Sequence, residues 1–423
     1  MKTKIIKALG PFFVALVLTG ILIFIPLNVG TRYSQKQLTK FAQAPYNTPS
    51  FTGYSVKKQA FSNPNFLPLL GSSELGHIDP FHPSAYFSKY PAGFTPYLAG
   101  QPGTTTLTHF FYVNSVAEQL KNRKIVFIIS PQWFSKRGIT ESEFENFISK
   151  GEIYSWIKNA NSKSISTQKM AQRLLSFKSL EAEKTIHSVL ERLAAGKDMT
   201  SWQHLLVSMS LQFWRKEDLL FSGISQLTAN HIGLSPKIRN LSHHLPQIWN
   251  FEKLDRLAYL KGRKAADNNP FCINNTIWKN KMKAIYKSRK NRMGRVNYLK
   301  SPEYTDFQQL LNTFAANHDD VLFVIQPVNG NWYRYSGLSE KALQDFSVKI
   351  RQQLNTQGFN QVADFTGMYN TPYAVGDTIH FGYRGWLAVD QSIKKFMKQP
   401  RKVDYHLDNS RFLSQEWAMN EEN

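Results

Sequence analysis

Three side chains in this sequence have the types and spacing for acyl transfer on serine. An apolar run, Leu67-Pro68-Leu69-Leu70, breaks at Gly71, and Ser72 and Ser73 follow at once. Far downstream, Asp377 and His380 stand three residues apart in Gly376-Asp377-Thr378-Ile379-His380. A neutral serine hydroxyl is a poor nucleophile. It needs a base to take its proton and an acid to orient that base. Residues three apart can share one turn, so the Asp377 carboxylate can reach Nδ1 of His380 and leave the other ring nitrogen free to face Ser73. Asp364 is a rival partner for His380, but it lies sixteen residues away at the end of a strand. Glu74, directly beside Ser73, is expected to point elsewhere. A Gly-Ser-Ser turn or a lone D-x-x-H is common by chance, so the weight falls on whether the fold brings them together.

The elements that must position these residues read as an α/β layer structure. Phe66–Leu70 and Lys124–Ser130 are apolar runs of strand length, and a helix through Ala117 and Leu120 lies between them. Strand–helix alternation returns with a helix at Tyr304–Ala316, a strand at Val321–Gln326, a helix at Lys341–Leu354, a short strand at Gln361–Phe365 and a last helix at Trp386–Met397. Strands separated by helices predict a parallel sheet flanked by helices. In such a sheet, ligands bind beyond the carboxyl ends of the strands. Ser73, Gln132, Asn329 with Trp332, and Asp377 with His380 each follow a strand, so all four sets are expected at one edge. Between the two α/β parts, Thr140-Glu141-Ser142-Glu143 is a capping-box signature that opens a helix through Ile157. Helical periodicity continues in Met170–Ala195, Trp202–Leu220 and Phe251–Ala266. The expected organisation is an anchor at 1–30, a polar stalk at 31–65 and an α/β part at 66–139. A mainly helical insertion at 140–300, a second α/β part at 301–398 and a loosely attached tail at 399–423 complete it. Asp79 to Gln101 reads as an aromatic, proline-rich loop.

Composition narrows the setting. With 423 residues, 42% hydrophobic and 13% aromatic, the chain can bury a large core and is not a disordered protein. Cys272 is the only cysteine, which excludes an intrachain disulfide and a cysteine-based zinc site; it reads as a packing residue. Lys2, Lys4 and Lys7 precede an uncharged run from Ala8 to Val29, long enough to cross a bilayer and lacking an A-x-A-like cleavage site. Lysines before the span and a long domain after it place the body outside the cytoplasm. The formal net charge of +22 would suggest nucleic acid for a cytosolic protein. For a tethered extracytoplasmic domain it suggests a membrane surface or a phosphate-rich polymer, and no nucleic-acid partner is expected. No acidic residue occurs between Asp267 and Glu303, while Lys279, Lys281, Lys283, Lys287, Arg289, Lys290, Arg292, Arg295 and Lys300 accumulate. Lys283, Lys287, Arg289 and Arg292 are the candidates for holding a polyanion.

Gly71-Ser72-Ser73 resembles the Gly-Asp-Ser block of SGNH (GDSL-type) hydrolases, and Asp377 to His380 resembles their closing D-x-x-H block. More closely, the chain resembles the DltD family, the D-alanine transfer proteins of lipoteichoic acid modification. The similarity runs in order through Gly71 to Leu75, Ile129-Ser130-Pro131-Gln132-Trp133-Phe134 and Asn268-Asn269-Pro270-Phe271. It continues through Ser301 to Asp306, Gln326-Pro327-Val328-Asn329-Gly330-Asn331-Trp332, and Asp377 to His380. The resemblance implies an SGNH-hydrolase-like sheet, Ser73 as nucleophile, His380 as general base and then acid, and Asp377 as the orienting carboxylate. Ser72 stands where most GDSL enzymes have Asp; Ser73 holds the third position of the block. SGNH enzymes stabilise the oxyanion with the nucleophile's own N–H, a glycine N–H and an Asn side chain. Gly103 or Gly100 could supply the glycine. The usual Gly-x-Asn-Asp is missing after the second strand, where Gln132 is the nearest amide, and Asn268 and Asn269 are further amides that could enter from the insertion.

The implied activity is a membrane-anchored, extracytoplasmic acyltransferase that carries D-alanyl groups as a serine ester to lipoteichoic acid. Its partners would be a membrane-bound O-acyltransferase and the D-alanyl carrier protein. No cofactor is expected, and no metal, since the spacing of His77, His82 and His109 fits no standard zinc pattern. A serine esterase or thioesterase uses the same triad, with water in place of the polymer hydroxyl. A non-catalytic scaffold that binds teichoic acid is the third reading.

Overall fold

Runs of apolar residues at five places in the chain pair edge to edge into one sheet. The computed structural model describes residues 10–15, 17, 20, 32–46, 48–229 and 234–420. Strands β1 (Phe66–Leu70), β2 (Thr95–Ala99), β3 (Lys124–Ile129), β4 (Asp320–Ile325) and β5 (Val362–Asp364) lie in the order β2-β1-β3-β4-β5. Every neighbouring pair is parallel, with Leu70 opposite Phe127, Ile129 opposite Ile325 and Ile325 opposite Asp364. A parallel sheet is covered on both faces, which is why β1 is apolar throughout and β3 and β4 are apolar after their first residues, Lys124 and Asp320, rather than alternating. Successive side chains serve two cores. Ile125, Phe127 and Ile129 face one, with Phe307 and Phe314 of helix Glu303–Ala316. Val126 and Ile128 face the other, with Trp386, Leu387 and Ile393 of helix Tyr383–Lys398. The α/β class, the parallel sheet and its flanking helices are as expected from the sequence.

Other expectations need correction. The stretch read as a loop, Asp79 to Gln101, holds a helix, Pro83–Lys89, and the edge strand β2. Pro96 disguises that strand, yet an edge position tolerates proline because its other side need not donate to a neighbour. The segment expected as a polar stalk forms helices Gln35–Gln43, Thr48–Phe51 and Tyr54–Phe61. Leu38, Phe41 and Ala42 recur at helical spacing and are buried, as are Val56, Ala60 and Phe61. Lys57 is fully buried here too and pairs with Glu152 at 2.7 Å, tying this segment to the helices beyond β3. The tail is likewise docked: Phe412, Leu413 and Trp417 are buried, and Trp417 Nε1 donates to Gln353 Oε1 at 3.0 Å.

From β3 to β4, helices are the only regular elements among the described residues. The first, Glu141–Phe147, starts as its capping box dictates, with Thr140 Oγ1 accepting the Glu143 N–H and Glu143 Oε2 accepting the Thr140 N–H. The expected membrane anchor at 1–30 falls largely outside the described residues. Among those that are described, no helix is long and apolar enough to cross a membrane.

Candidate active site

Because the chain runs from β1 out to β2 and then back to β3 on the other side, the sheet changes winding direction beside β1. Such switch points open a crevice at the carboxyl edge, and Ser73 emerges there. Leu70 leads into Gly71, whose carbonyl accepts from His109 Nε2 at 2.8 Å and Thr104 Oγ1 at 2.9 Å. Gly100, at the end of β2, packs so closely that a Cβ there would sit 2.1 Å from that carbonyl oxygen, so a side chain is excluded. Glu74 does point away from the hydroxyl. It is buried and folds back so that Oε1 accepts the Ser72 N–H at 2.5 Å, bracing the serine turn. Burial raises its pKa. On the outer side, Tyr46 donates its hydroxyl hydrogen to the Ser73 carbonyl.

The second half of the site arrives 307 residues later, where Ser73 Oγ meets His380 Nε2 at 2.7 Å. His380 Nδ1 lies 2.6 Å from Asp377 Oδ2, while Asp377 Oδ1 accepts the backbone N–H groups of Ile379 and His380 at 2.9 and 2.8 Å. One carboxylate thus fixes both the turn and the imidazole. Asp364, the rival, is spent elsewhere: Oδ1 accepts from Thr366 and Oδ2 from Ser347. Burial alone would raise the Asp377 pKa and lower that of His380. Their mutual hydrogen bond and charge prevail, holding Asp377 well below the ordinary carboxylate range and His380 above the ordinary imidazole value. With Nδ1–H given to Asp377, the Nε2 lone pair faces the serine hydroxyl.

Two residues whose roles the sequence did not disclose hold this loop. Asn329 caps helix Gly330–Ser336 with Oδ1, accepting the Trp332 N–H at 3.0 Å. Its Nδ2 donates to the carbonyls of Asp377 at 2.8 Å and Phe271 at 2.9 Å, and its backbone N–H donates to Thr378 O at 2.9 Å. His77 stacks on the His380 ring, centroids 4.0 Å apart and planes 18° from parallel. Burial, then the charge of His380, pushes His77 down to about 4, so it is neutral near pH 7. The sequence marked Asn329 by its position just after a strand and by the Gln326 to Trp332 block, and His77 only as one of three histidines weighed for a metal.

Ser73 opens on a cleft whose lining includes Gly103, Thr105, Ser130, Gln132, Glu143 and Gln326. Both oxyanion candidates therefore share the cleft with the serine. Gly103 adopts φ +95°, a left-handed conformation natural to glycine, and Gln132 Nε2 donates to the Tyr333 hydroxyl at 3.2 Å. Asn269, the alternative from the insertion, uses its amide within its own loop, Nδ2 donating to Ile273 O and Oδ1 accepting from Phe271 and Ile273 N–H. Lys283, Lys287, Arg289 and Arg292 are exposed on and just after helix Lys283–Arg289 and do not line the cleft. The same basic run does touch the site electrostatically through Lys281, whose charge lowers the pKa of both His77 and His380.

Of the histidines considered for a metal, His82 Nδ1 accepts from Ser84 N–H and His109 serves Gly71. Among the described residues, His77, Asp377 and His380 do bring ligand atoms within 4.8 Å of one another. Two of these are already joined through a shared proton, so a cation would have to compete with that hydrogen bond.

Comparison with known proteins identifies the family. The sequence model of the family described as "DltD protein" matches residues 43–398. The chain is 34% identical to Protein DltD of Lacticaseibacillus rhamnosus over 419 residues, covering 99% of this chain and 97% of the relative. It is 33% identical to Protein DltD of Bacillus subtilis (strain 168) over 393 residues, 92% of this chain and 97% of that protein. Protein DltD of Staphylococcus aureus (strain NCTC 8325 / PS 47) is 29% identical over 349 residues, 82% and 84% of the two chains. With a family match over most of its length and relatives aligned nearly end to end, this chain belongs to the DltD family.

Proposed function

We propose that this protein is an extracytoplasmic, membrane-anchored O-acyltransferase that carries D-alanyl groups on Ser73 and passes them to hydroxyls of lipoteichoic acid. The observation that carries the reading is the 2.7 Å approach of Ser73 Oγ to His380 Nε2, with Asp377 behind the ring at 2.6 Å. In the first half-reaction, Ser73 Oγ attacks the acyl carbonyl as its proton passes to His380 Nε2. The resulting imidazolium is stabilised by Asp377, and the negative oxygen is met by N–H donors, for which Gly103 and the Gln132 amide are the candidates. Collapse of the tetrahedral adduct breaks the bond to the donor's leaving atom, which takes the proton from His380. In the second half, a polymer hydroxyl gives its proton to His380 and attacks the Ser73 ester, and Ser73 Oγ leaves with that proton.

For the setting we draw on the sequence and on the family resemblance. Residues 1–30 act as the anchor, with the catalytic body outside. A membrane-bound O-acyltransferase and, indirectly, the D-alanyl carrier protein supply the acyl group. The exposed basic residues Lys283, Lys287, Arg289 and Arg292 hold the polyglycerolphosphate of the acceptor. Mass spectrometry of the intact protein from cells tests the central step. A D-alanyl ester on Ser73, absent from Ser73→Ala, is expected. An unmodified serine that also resists a fluorophosphonate probe would remove the nucleophile and with it this reading.

A further inference from the structure

One unexplained polar group beside the serine is the side chain of Gln326. It is 1% exposed, it lines the cleft that contains Ser73, and among the described residues neither its Oε1 nor its Nε2 has a hydrogen-bond partner. A buried polar atom left unsatisfied is costly, so folds rarely leave two on one side chain. The other buried glutamines among the described residues are hydrogen-bonded. Gln308, Gln353 and Gln357 form a closed network, Gln308 Nε2 donating to Gln357 Oε1 at 2.7 Å and Gln357 Nε2 to Gln308 Oε1 at 2.9 Å. Among the described residues, Gln326 is the one buried glutamine with both ends unpartnered. Nor is its position loose. Its backbone N–H donates to Ile129 O at 3.0 Å, which fixes it at the seam of β3 and β4, level with Ser130.

We propose that Gln326 is the specificity-determining residue for the acyl group and that its amide receives an α-aminoacyl unit. A carboxamide presents an acceptor and a donor side by side. An α-aminoacyl ester presents the complement, an ammonium donor two bonds from a carbonyl acceptor. Oε1 accepts from the ammonium, and Nε2 donates toward the acyl oxygen. Glu143, also in the cleft, keeps Oε2 in its capping box and is, with Glu74, one of the two acidic side chains among the described residues that line it, a favourable charge for a bound cation. An acyl group without the amine leaves Oε1 buried and unpaired, the condition under which sites reject an analogue most strongly. This inference rests on the acyl-transfer reading, since it names the acyl group that Ser73 takes.

The test compares the full protein with Gln326→Leu, using the N-acetylcysteamine thioesters of D-alanine and of propionic acid, which differ only in the amine. The parent is expected to prefer the alanyl thioester, and the ratio of kcat/KM values, alanyl over propionyl, is expected to fall about a hundredfold in the variant. An unchanged ratio, whether both rates hold or both fall together, overturns the proposal. Replacing an unsatisfied amide by leucine should leave the thermal midpoint equal or higher, so a loss of ratio is not a loss of fold. Should the parent cleave neither thioester, the acyl-transfer reading is what fails, and recognition is still read by binding. D-alaninamide but not propionamide should raise the thermal midpoint of the parent and not of Gln326→Leu. Equal shifts in both proteins overturn the assignment.

Discussion

Replacing Asp377 by asparagine isolates the orienting role of the carboxylate from its structural role. Asp377 Oδ1 accepts two backbone N–H groups, from Ile379 and His380, and Oδ2 faces His380 Nδ1 at 2.6 Å. Asparagine has one acceptor and one donor end. If its oxygen keeps the two N–H groups, its NH2 must face Nδ1. The flipped alternative points two donors at two donors and strands both backbone hydrogens, at about 1–3 kcal/mol each. The unflipped form therefore wins, Nδ1 becomes an acceptor, and the ring proton moves to Nε2, where it faces Ser73. The base is then the wrong tautomer while the loop is intact. Loss of that role in serine triads is worth about ten-thousandfold in kcat, or roughly 5.5 kcal/mol at 1.36 kcal/mol per tenfold. The assay is the rate of Ser73 labelling by a fluorophosphonate and of turnover of an acyl thioester, with circular dichroism to confirm the fold. A loss below about tenfold in a folded Asp377→Asn protein would refute the argument that Asp377 sets the imidazole for attack.

Four further outcomes follow from the same structure. Asn329→Ala removes a helix cap and two hydrogen bonds to loop carbonyls; at about 1 kcal/mol each it should destabilise by roughly 3 kcal/mol in urea unfolding, with kcat falling more than KM rises. Because His380 is held above the ordinary imidazole value, activity should rise with pH through an inflection above about 6.5; in Asp377→Asn the residual activity should titrate lower, since the anion favouring imidazolium is gone. Glu152→Ala leaves Lys57 charged and fully buried, which should cost about 3–5 kcal/mol of stability, measured by denaturant titration. Changing Lys283, Lys287, Arg289 and Arg292 together to alanine should weaken binding of a polyglycerolphosphate and flatten the log affinity against log salt slope by roughly 3, with fluorophosphonate labelling of Ser73 retained.

The parts of this fold legible in sequence were those whose signal is local. β1, β3 and β4 are continuous apolar runs, and Thr140 with Glu143 is a helix start written in two residues. β2 was missed because Pro96 argues against a strand unless one already knows that the strand lies at an edge. Residues 31–65 misled through composition. Their mean polarity suggested a stalk, while the spacing of Leu38, Phe41 and Ala42 marked a buried helix face. The docked tail was hidden similarly, since Phe412, Leu413 and Trp417 are few but all face inward. In the site, Ser73, Asp377 and His380 could be picked out by type, and the parallel sheet explains why they meet. Asn329, His77 and Tyr46 act through partners tens to hundreds of residues away, information that no local window contains. Gln326 lay in a quoted stretch without a role, because an unsatisfied amide is a property of its surroundings.

The distance along the chain between the hydroxyl of Ser73 and its proton acceptor has a consequence for biogenesis. A polypeptide halted anywhere before residue 380 has an alcohol with nothing to activate it, however well its first strands have formed. Pairings of such long sequence separation form late and slowly, so competence is expected to appear only when synthesis is complete and the final edge of the sheet has closed. Half-made copies would then carry a serine hydroxyl with no base beside it.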